Sequence, residues 1–306
     1  MKNSMDETLQ SAIAYNRGRR YPADVWIEVQ RRLGLDADGE PGPATVEAVA
    51  TFQARHGLRP DGKVGPGTLG ALGVGLPALD RIHALPGDDA LFFHGKLAVD
   101  ADGAPGAYHP DDTGIDSLRN AGKPGNWWAL ACDDAGTPYR QTQDDPCPGC
   151  YVSTTALCDA RFGARDPRRY VDATKIPYIV LPRNLTELHP AGARIEKGDL
   201  AAVTLARQPS RLVFAIYADV GPAWGPFHEP GEGSVALAQA LGHDPYVDGR
   251  VARGIPSGVF YVLFPGSGRR APLPADEIAR CGRQAFEAWG GADKLALAMT
   301  HAEVRP

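Results

Sequence analysis

Arg211-Leu-Val-Phe-Ala-Ile-Tyr-Ala-Asp219-Val-Gly-Pro222, then a loop, then Gly231-Glu232-Gly233-Ser234-Val-Ala-Leu-Ala238, is the stretch from which the architecture reads outward. Its first half is an apolar, β-branched run closed by Gly-Pro, the composition of a buried strand. Its second half opens with glycines around one acid and continues into an alanine-rich segment, which predicts a helix over 234–241. Further short apolar runs bounded by Gly, Pro and Asp recur at 91–99, 127–130, 151–157, 176–181, 200–205 and 259–264. A second helix is expected over 275–289, with Ile278, Cys281, Ala285 and Trp289 on one face. Residues 91–306 thus read as a mainly β (α+β) domain whose sheet closes, or nearly closes, on itself. The 36 glycines and 27 prolines agree with a loop-rich, strand-rich chain.

The N-terminal part differs and repeats itself. Leu35-Asp-Ala-Asp38-Gly39-Glu-Pro-Gly42-Pro43-Ala-Thr45 returns as Leu58-Arg-Pro-Asp61-Gly62-Lys-Val-Gly65-Pro66-Gly-Thr68. In each copy Asp-Gly supplies a turn, and Gly-Pro starts a helix with proline where no N–H is required. Val25, Val29 and Leu33 before the first copy, and Val46, Val49 and Phe52 between the copies, have helical spacing. A compact three-helix module over 23–74 follows, with 1–22 as an N-terminal arm and 75–90 as a linker. Val29-Gln30, Asp38-Gly39, Gly42-Pro43, Phe52-Gln53 and Asp61-Gly62 in this order resemble the peptidoglycan-binding domain type 1. That resemblance implies a non-catalytic module that holds an enzyme on cell-wall material.

Asp219 closes a strand and Glu232 opens a helix, and the loop between them carries Trp224 and His228. Hydrolysis of a glycosidic bond needs one carboxylic acid to protonate the leaving oxygen and one carboxylate to activate water or attack the anomeric carbon. From spacing alone, Asp219 could equally be a turn initiator and Glu232 a first-turn helix acid. The same stretch, with Asp100-Ala-Asp102-Gly103, Tyr151-Val-Ser-Thr-Thr155, Tyr170-Val-Asp172 and Ile176-Pro-Tyr178, resembles glycoside hydrolase family 75, the fungal-type chitosanases, over about residues 90–265. The resemblance implies that Asp219 and Glu232 are the catalytic pair of an inverting endo-hydrolase of β-1,4-linked amino sugars. A helix N-terminus at Glu232 would favour its ionised form and make it the base, a weak argument that leaves the two roles open.

Tyr108, Trp127, Trp128, Tyr151 and Trp224 are candidate sugar platforms, because pyranose C–H faces pack on aromatic rings. For at least one of the adjacent Trp127 and Trp128, core packing is the better reading. Asp100 and Asp102 could receive cationic glucosamine, or form an ordinary turn. No metal site or cofactor is expected, since the eight histidines include no HExxH. Cys132, Cys147, Cys150 and Cys158 cluster without the paired spacing of a zinc site, which leaves disulfides, free thiols or a structural metal open; Cys281 reads as a core thiol.

A net charge of −5 offers no basic surface for nucleic acid, and no run is long and apolar enough to span a membrane. The expected partner is a polysaccharide, chitosan or peptidoglycan, met by a monomer. The opening residues contain no apolar leader. Work on a wall outside the producing cytoplasm would then need a non-classical route, as for an antibacterial effector or a lysis protein. The alternatives from other classes are a non-catalytic wall-binding protein with a degenerate hydrolase domain, and a peptidoglycan amidase or peptidase.

Overall fold

The computed structural model describes residues 2–19, 21, 23–74, 82–183, 185, 195–223 and 230–303. These fall into two compact units, whose boundary lies between residues 79 and 80. As expected from the sequence, a short helical module precedes a mainly β domain built on a closed barrel.

In the first unit, α1 (Lys2–Gly18) is followed by α2 (Ala23–Arg32), α3 (Pro43–Arg55) and α4 (Pro66–Leu72), and these last three surround Val25, Trp26, Val29, Val49, Val64 and Leu69. The repeat has a physical basis in two buried glutamines, one five residues before each copy. Gln30 Nε2 faces Asp38 Oδ1 (2.6 Å), the Glu40 carbonyl (3.0 Å) and Thr45 Oγ1 (3.1 Å), while its Oε1 accepts from the Gly39 amide (2.9 Å). Gln53 repeats the pattern with Asp61 (3.3 Å), the Lys63 carbonyl (2.9 Å), Thr68 (3.0 Å) and the Gly62 amide (2.9 Å). Each glutamine clips the turn that follows its helix. Gly62 lies at φ +68°, and a Cβ there would come within 2.5 Å of Val46 Cγ1. The segment read as an arm is the helix α1, which buries Ala12 and Ile13 against Val46 and grips the second turn through Asn16. Asn16 Nδ2 donates to the Gly62 carbonyl (3.0 Å), and its Oδ1 accepts from the Val64 amide (2.8 Å).

In the second unit, six strands form the barrel: β1 (Leu91–Asp100), β2 (Tyr178–Pro182), β3 (Leu200–Leu205), β4 (Gln208–Gly221), β5 (Glu232–Ser234) and β6 (Ile255–Phe264). The order around it is β1-β6-β3-β4-β2-β5, and β5 returns to β1. The pairs β4–β2 and β5–β1 are parallel, and the others are antiparallel. Alternating residues such as Phe93, Ile179, Val203, Tyr217 and Tyr261 fill the lumen, where Phe93 and Tyr261 stack at 4.5 Å. The opposite face packs under α6 (Ala275–Trp289), α7 (Gly291–Glu303) and the loop-rich stretch between β1 and β2. α6 seats Ile278, Gly282 and Phe286 on the barrel, with Cys281, Ala285 and Trp289 only half-buried beside them. Gly282 is required by contact, because a Cβ there would lie 2.6 Å from Phe214 Cβ.

Several expectations need correction. Residues 127–130 and 151–157 form a short ladder and isolated bridges instead of barrel strands, since Trp127 pairs with Gly122, Leu130 with Ser153 and Tyr151 with Arg140. The predicted helix start at 234–241 is shortened to α5 (Val235–Ala240), with Ser234 as its cap and Glu232 on a strand. Residues 82–90, read as linker, belong to the second unit. Ile82 and Leu85 are buried, and Asp88 accepts from Trp289 Nε1 (2.7 Å) and pairs with Lys294 (2.9 Å). Cys147 and Cys150 form a disulfide, and the other three cysteines are free thiols, Cys281 half-buried rather than a full core residue.

Gln53→Ala removes one clip, leaving the Gly62 amide without its partner and the Lys63 carbonyl with only the Thr68 hydroxyl. It is expected to destabilise the helical unit by about 2–4 kcal/mol and to abolish slow amide exchange at Gly62. Retained protection at Gly62 would show that the turn is held by something else.

Candidate active site

Val180 on β2 is the registered neighbour of Asp219 on β4 on one side and of Glu232 on β5 on the other. Registered neighbours point to the same face, so both acids flank Val180 with Cα atoms about two strand spacings, roughly 9–10 Å, apart. Asp219 reaches this face through an irregularity in β4. Tyr217 pairs with Ile179, but Asp219, two residues on, pairs with Val180, only one residue on. Ala218 is the extra residue that shifts the alternation; in a regular strand it would itself face Val180, and Asp219 would point to the lumen with Tyr217. The Glu232 carboxyl lies over Val180, close enough to β4 that a Cβ on Gly221 would sit 3.3 Å from its Oε2. Gly231 permits this approach at φ +114°, where a Cβ would collide with the Lys96 carbonyl at 1.8 Å.

Asp100 lies on the same face at the end of β1, in register with Ser234. One carboxylate oxygen each of Asp100, Asp102 and Asp219 lie within 4.8 Å of one another. The sequence treated Asp100 and Asp102 as separate from the pair; the fold gathers them beside it. Tyr178 Oη stands 3.0 Å from Asp100 Oδ2 and 3.0 Å from the Asp102 carbonyl, while the Asp102 amide donates to Asp100 Oδ1 (2.9 Å). The Tyr108 hydroxyl donates to Asp102 Oδ1 (2.6 Å) and lies 3.3 Å from Asp116 Oδ2. Tyr178 and Asp116 carry this arrangement and were not singled out from the sequence. Tyr178 stands in the quoted Ile176-Pro-Tyr178 without a role assigned to it, and nothing in the local sequence marked Asp116.

Burial and mutual repulsion govern the protons here. Desolvation, with the Asp219 and Glu232 charges added, holds Asp100 well above the usual carboxylate range; desolvation with Asp100 and Asp219 does the same to Asp102. Asp219 is pushed up to about 6 by desolvation, opposed by the amides of Val220 and Ala156, both 2.9 Å from its Oδ1, and by Lys197. Glu232 is pushed up to about 7 by desolvation and by Asp219, opposed by Lys96. The Asp100, Asp102 and Asp219 oxygens are close enough to share one hard cation, and the same crowding favours shared protons.

The aromatic candidates divide. Tyr108 is 1% exposed, so its ring has no face for a sugar and its role is to hold Asp102 through the hydroxyl. Trp127 packs against the core with Tyr151 at 6.4 Å, whereas Trp128 is 62% exposed and anchored by Nε1 to the Asn120 carbonyl (2.8 Å). Tyr151 is half-buried and begins the segment that reaches Ala156 beside Asp219. Trp224 lies outside the described residues.

Two family models match the chain. The one described as a peptidoglycan binding domain covers residues 31–72. The one described as fungal chitosanase of glycosyl hydrolase group 75 covers residues 131–289, more than half of the chain. The second match includes Tyr151, Asp219 and Glu232, and begins after Asp100, Asp102, Tyr108, Trp127 and Trp128. No curated protein matches.

The raised carboxyls also set a stability test. Between the ordinary carboxylate range and about pH 6–7 the folded state retains protons that the unfolded chain has released. Stability from these groups therefore falls as pH rises through that window. Asp219→Asn is expected to raise the melting temperature at pH 8, by an amount equivalent to at most about 3 kcal/mol, with the gain gone near pH 4. A lowered melting temperature at pH 8 would show that the ionised Asp219 stabilises the fold.

Proposed function

The chain belongs to glycosyl hydrolase group 75 and is a glycoside hydrolase, and on that premise we propose that it cleaves β-1,4 linkages of an amino-sugar polymer by inversion, with Asp219 and Glu232 as its catalytic residues. The observation that carries this reading is the placement of the two acids on one face, across Val180. A separation of roughly 6.5–9.5 Å between carboxyl groups leaves room for the attacking water of an inverting enzyme, and Cα atoms two strands apart are compatible with it.

The surroundings favour distinct roles. Two backbone N–H groups donate to Asp219 Oδ1, which favours the carboxylate and suits a base. Glu232 has no such donors among the described residues, and it is the group held higher. Glu232 therefore protonates the glycosidic oxygen while Asp219 takes a proton from water attacking the opposite face of the anomeric carbon. This reverses the order suggested by a helix N-terminus, because Glu232 lies on β5, before the helix cap. Trp128 and Tyr151 are proposed to support sugar rings along the cleft.

The match to a peptidoglycan binding domain supports an anchoring role for the helical module and makes the glycan strand of a bacterial wall the favoured natural target, with chitosan as the runner-up. This reading implies work outside the producing cytoplasm.

Asp219→Asn and Glu232→Gln are each expected to lower kcat/KM by about 10²–10⁴-fold. Because an aryl leaving group needs no proton, Glu232→Gln alone should recover turnover on activated aryl glycosides. The wild-type profile should be bell-shaped, with its limbs set by the pair at about pH 6 and about pH 7. Full activity in either variant would remove that residue from the mechanism. Recovery in Asp219→Asn instead would exchange the roles.

Deleting residues 1–74 should leave hydrolysis of soluble oligosaccharides within about twofold and slow attack on insoluble walls by tenfold or more, since tethering raises local concentration without touching the chemistry. Equal loss on both would contradict an anchoring role.

A further inference from the structure

A cavity of about 500 Å³ adjoins Asp219 and is not used by the reading above. It is lined by Ala156, Leu157, Ile195, Lys197, Tyr217 and Val220, among others, and also by the Glu196–Arg270 ion pair. Ala156 and Val220 are the residues whose amides hold the Asp219 carboxylate. A ligand in this cavity would therefore contact the backbone that positions the proposed base. Its walls are largely apolar, while its formal charges are Lys197 and Arg270 against Glu196, a net of one positive charge.

The turn that carries Lys197 is fixed from several sides. The buried Asp199 accepts from the Glu196 amide (2.9 Å) and the Gly266 amide (3.2 Å) through Oδ2, and from the Gly268 amide (2.9 Å) through Oδ1. Gly198, at φ +99°, donates to the Tyr217 carbonyl (2.9 Å), and a Cβ there would strike the Arg270 backbone at 2.7 Å. Lys197 Nζ donates to the Ala156 carbonyl (3.1 Å), which uses one of its three N–H groups and leaves the ammonium in the cavity wall.

We propose that this cavity is a subsite for an amino sugar bearing a carboxylate, with the Lys197 ammonium as the partner of that carboxylate. The inference rests on the reading of Asp219 and Glu232 as the catalytic pair, and it specifies the substrate class beside them. An apolar floor suits the pyranose face and an acyl methyl group. On the lining itself Lys197 is the one charge left over, since Glu196 is neutralised by Arg270. Its ammonium attracts a carboxylate and repels the ammonium of deacetylated glucosamine, while the Asp219 carboxylate that also feels Lys197 is held by the Ala156 and Val220 amides. In a bacterial glycan strand the carboxylate could come from the lactyl ether of the sugar or from the attached stem peptide. Both present the same chemistry to Lys197.

The test measures kcat/KM of the full chain on four substrates: glucosamine oligomers, their N-acetylated counterparts, glycan strands stripped of peptide, and peptide-bearing strands. Lys197→Glu is expected to lower the ratio of anionic to cationic substrate turnover by about tenfold or more, as expected for loss of a charge-assisted contact. Lys197→Arg should keep the ratio. Any effect of the substitution through Asp219 acts on all four substrates and cancels in the ratio. Loss confined to stripped strands identifies the lactyl carboxylate, and loss on peptide-bearing strands identifies the stem peptide. A ratio unchanged within twofold would overturn the subsite and leave the catalytic pair intact. A folded wild-type chain inert on all four substrates would instead overturn the catalytic reading, and this inference with it.

Discussion

One extra residue in β4 organises the acidic face. Two residues of β4, Ala218 and Asp219, occupy the space opposite Val180 alone. A regular strand would direct Asp219 to the face of Tyr217 and Tyr261, among aromatic and aliphatic side chains, where an unpartnered charge is costly. The bulge turns it instead to the outer face, and the Ala156 amide meets it there. β5 then has to bring Glu232 to the other side of Val180, which it can do because Gly231 and Gly233 both lie against backbone with no room for a Cβ. The glycines around Glu232 thus serve strand contacts, where the sequence suggested a flexible helix start.

A second constraint follows from gathering four acids on this face. They cannot all be ionised together at short range, so the hydrogen bonds around them decide which keeps a proton. Tyr178 contacts an Asp100 oxygen and the Asp102 carbonyl at the same distance, yet its hydroxyl has one proton to donate. A proton on Asp100 satisfies both contacts, in agreement with the upward displacement of that carboxyl. Asp219, by contrast, receives two amide donors and no hydroxyl. The asymmetry between the acids is thus built by backbone on one side and by tyrosines on the other.

The sequence made the strand cores legible because their apolar runs are long and bounded by breakers; 200–205 and 275–289 match their observed elements to the residue. Segments 127–130 and 151–157 have the same composition without becoming barrel strands, since propensity cannot specify a pairing partner. The short β5 cannot carry a period, and Ser234 at its end gives a strong helix signal. At the site, Asp219 and Glu232 sit at breaks in local pattern, but only the resemblance to glycoside hydrolase family 75 implied that they are a catalytic pair. Their relation to Asp100 depends on the parallel pairing of β5 with β1, two strands far apart along the chain, and local pattern contains nothing about it.

The two families of motif residues differ in how much of their bonding capacity the fold consumes. In the helical unit Gln30, Asp38, Gly39 and Thr45 are bonded to one another, and so are Gln53, Asp61, Gly62 and Thr68 in the second copy. A motif of that kind specifies a turn, and its side chains have little bonding capacity left for a ligand. In the barrel the motif acids keep oxygens open: Asp219 directs only Oδ1 to backbone amides, and Glu232 accepts no hydrogen bond among the described residues. Buried carboxyl oxygens without donors are costly to maintain for stability alone. Open oxygens on two strands that flank β2 are what the proposed catalytic reading accounts for, and what a motif that only folds a turn does not keep.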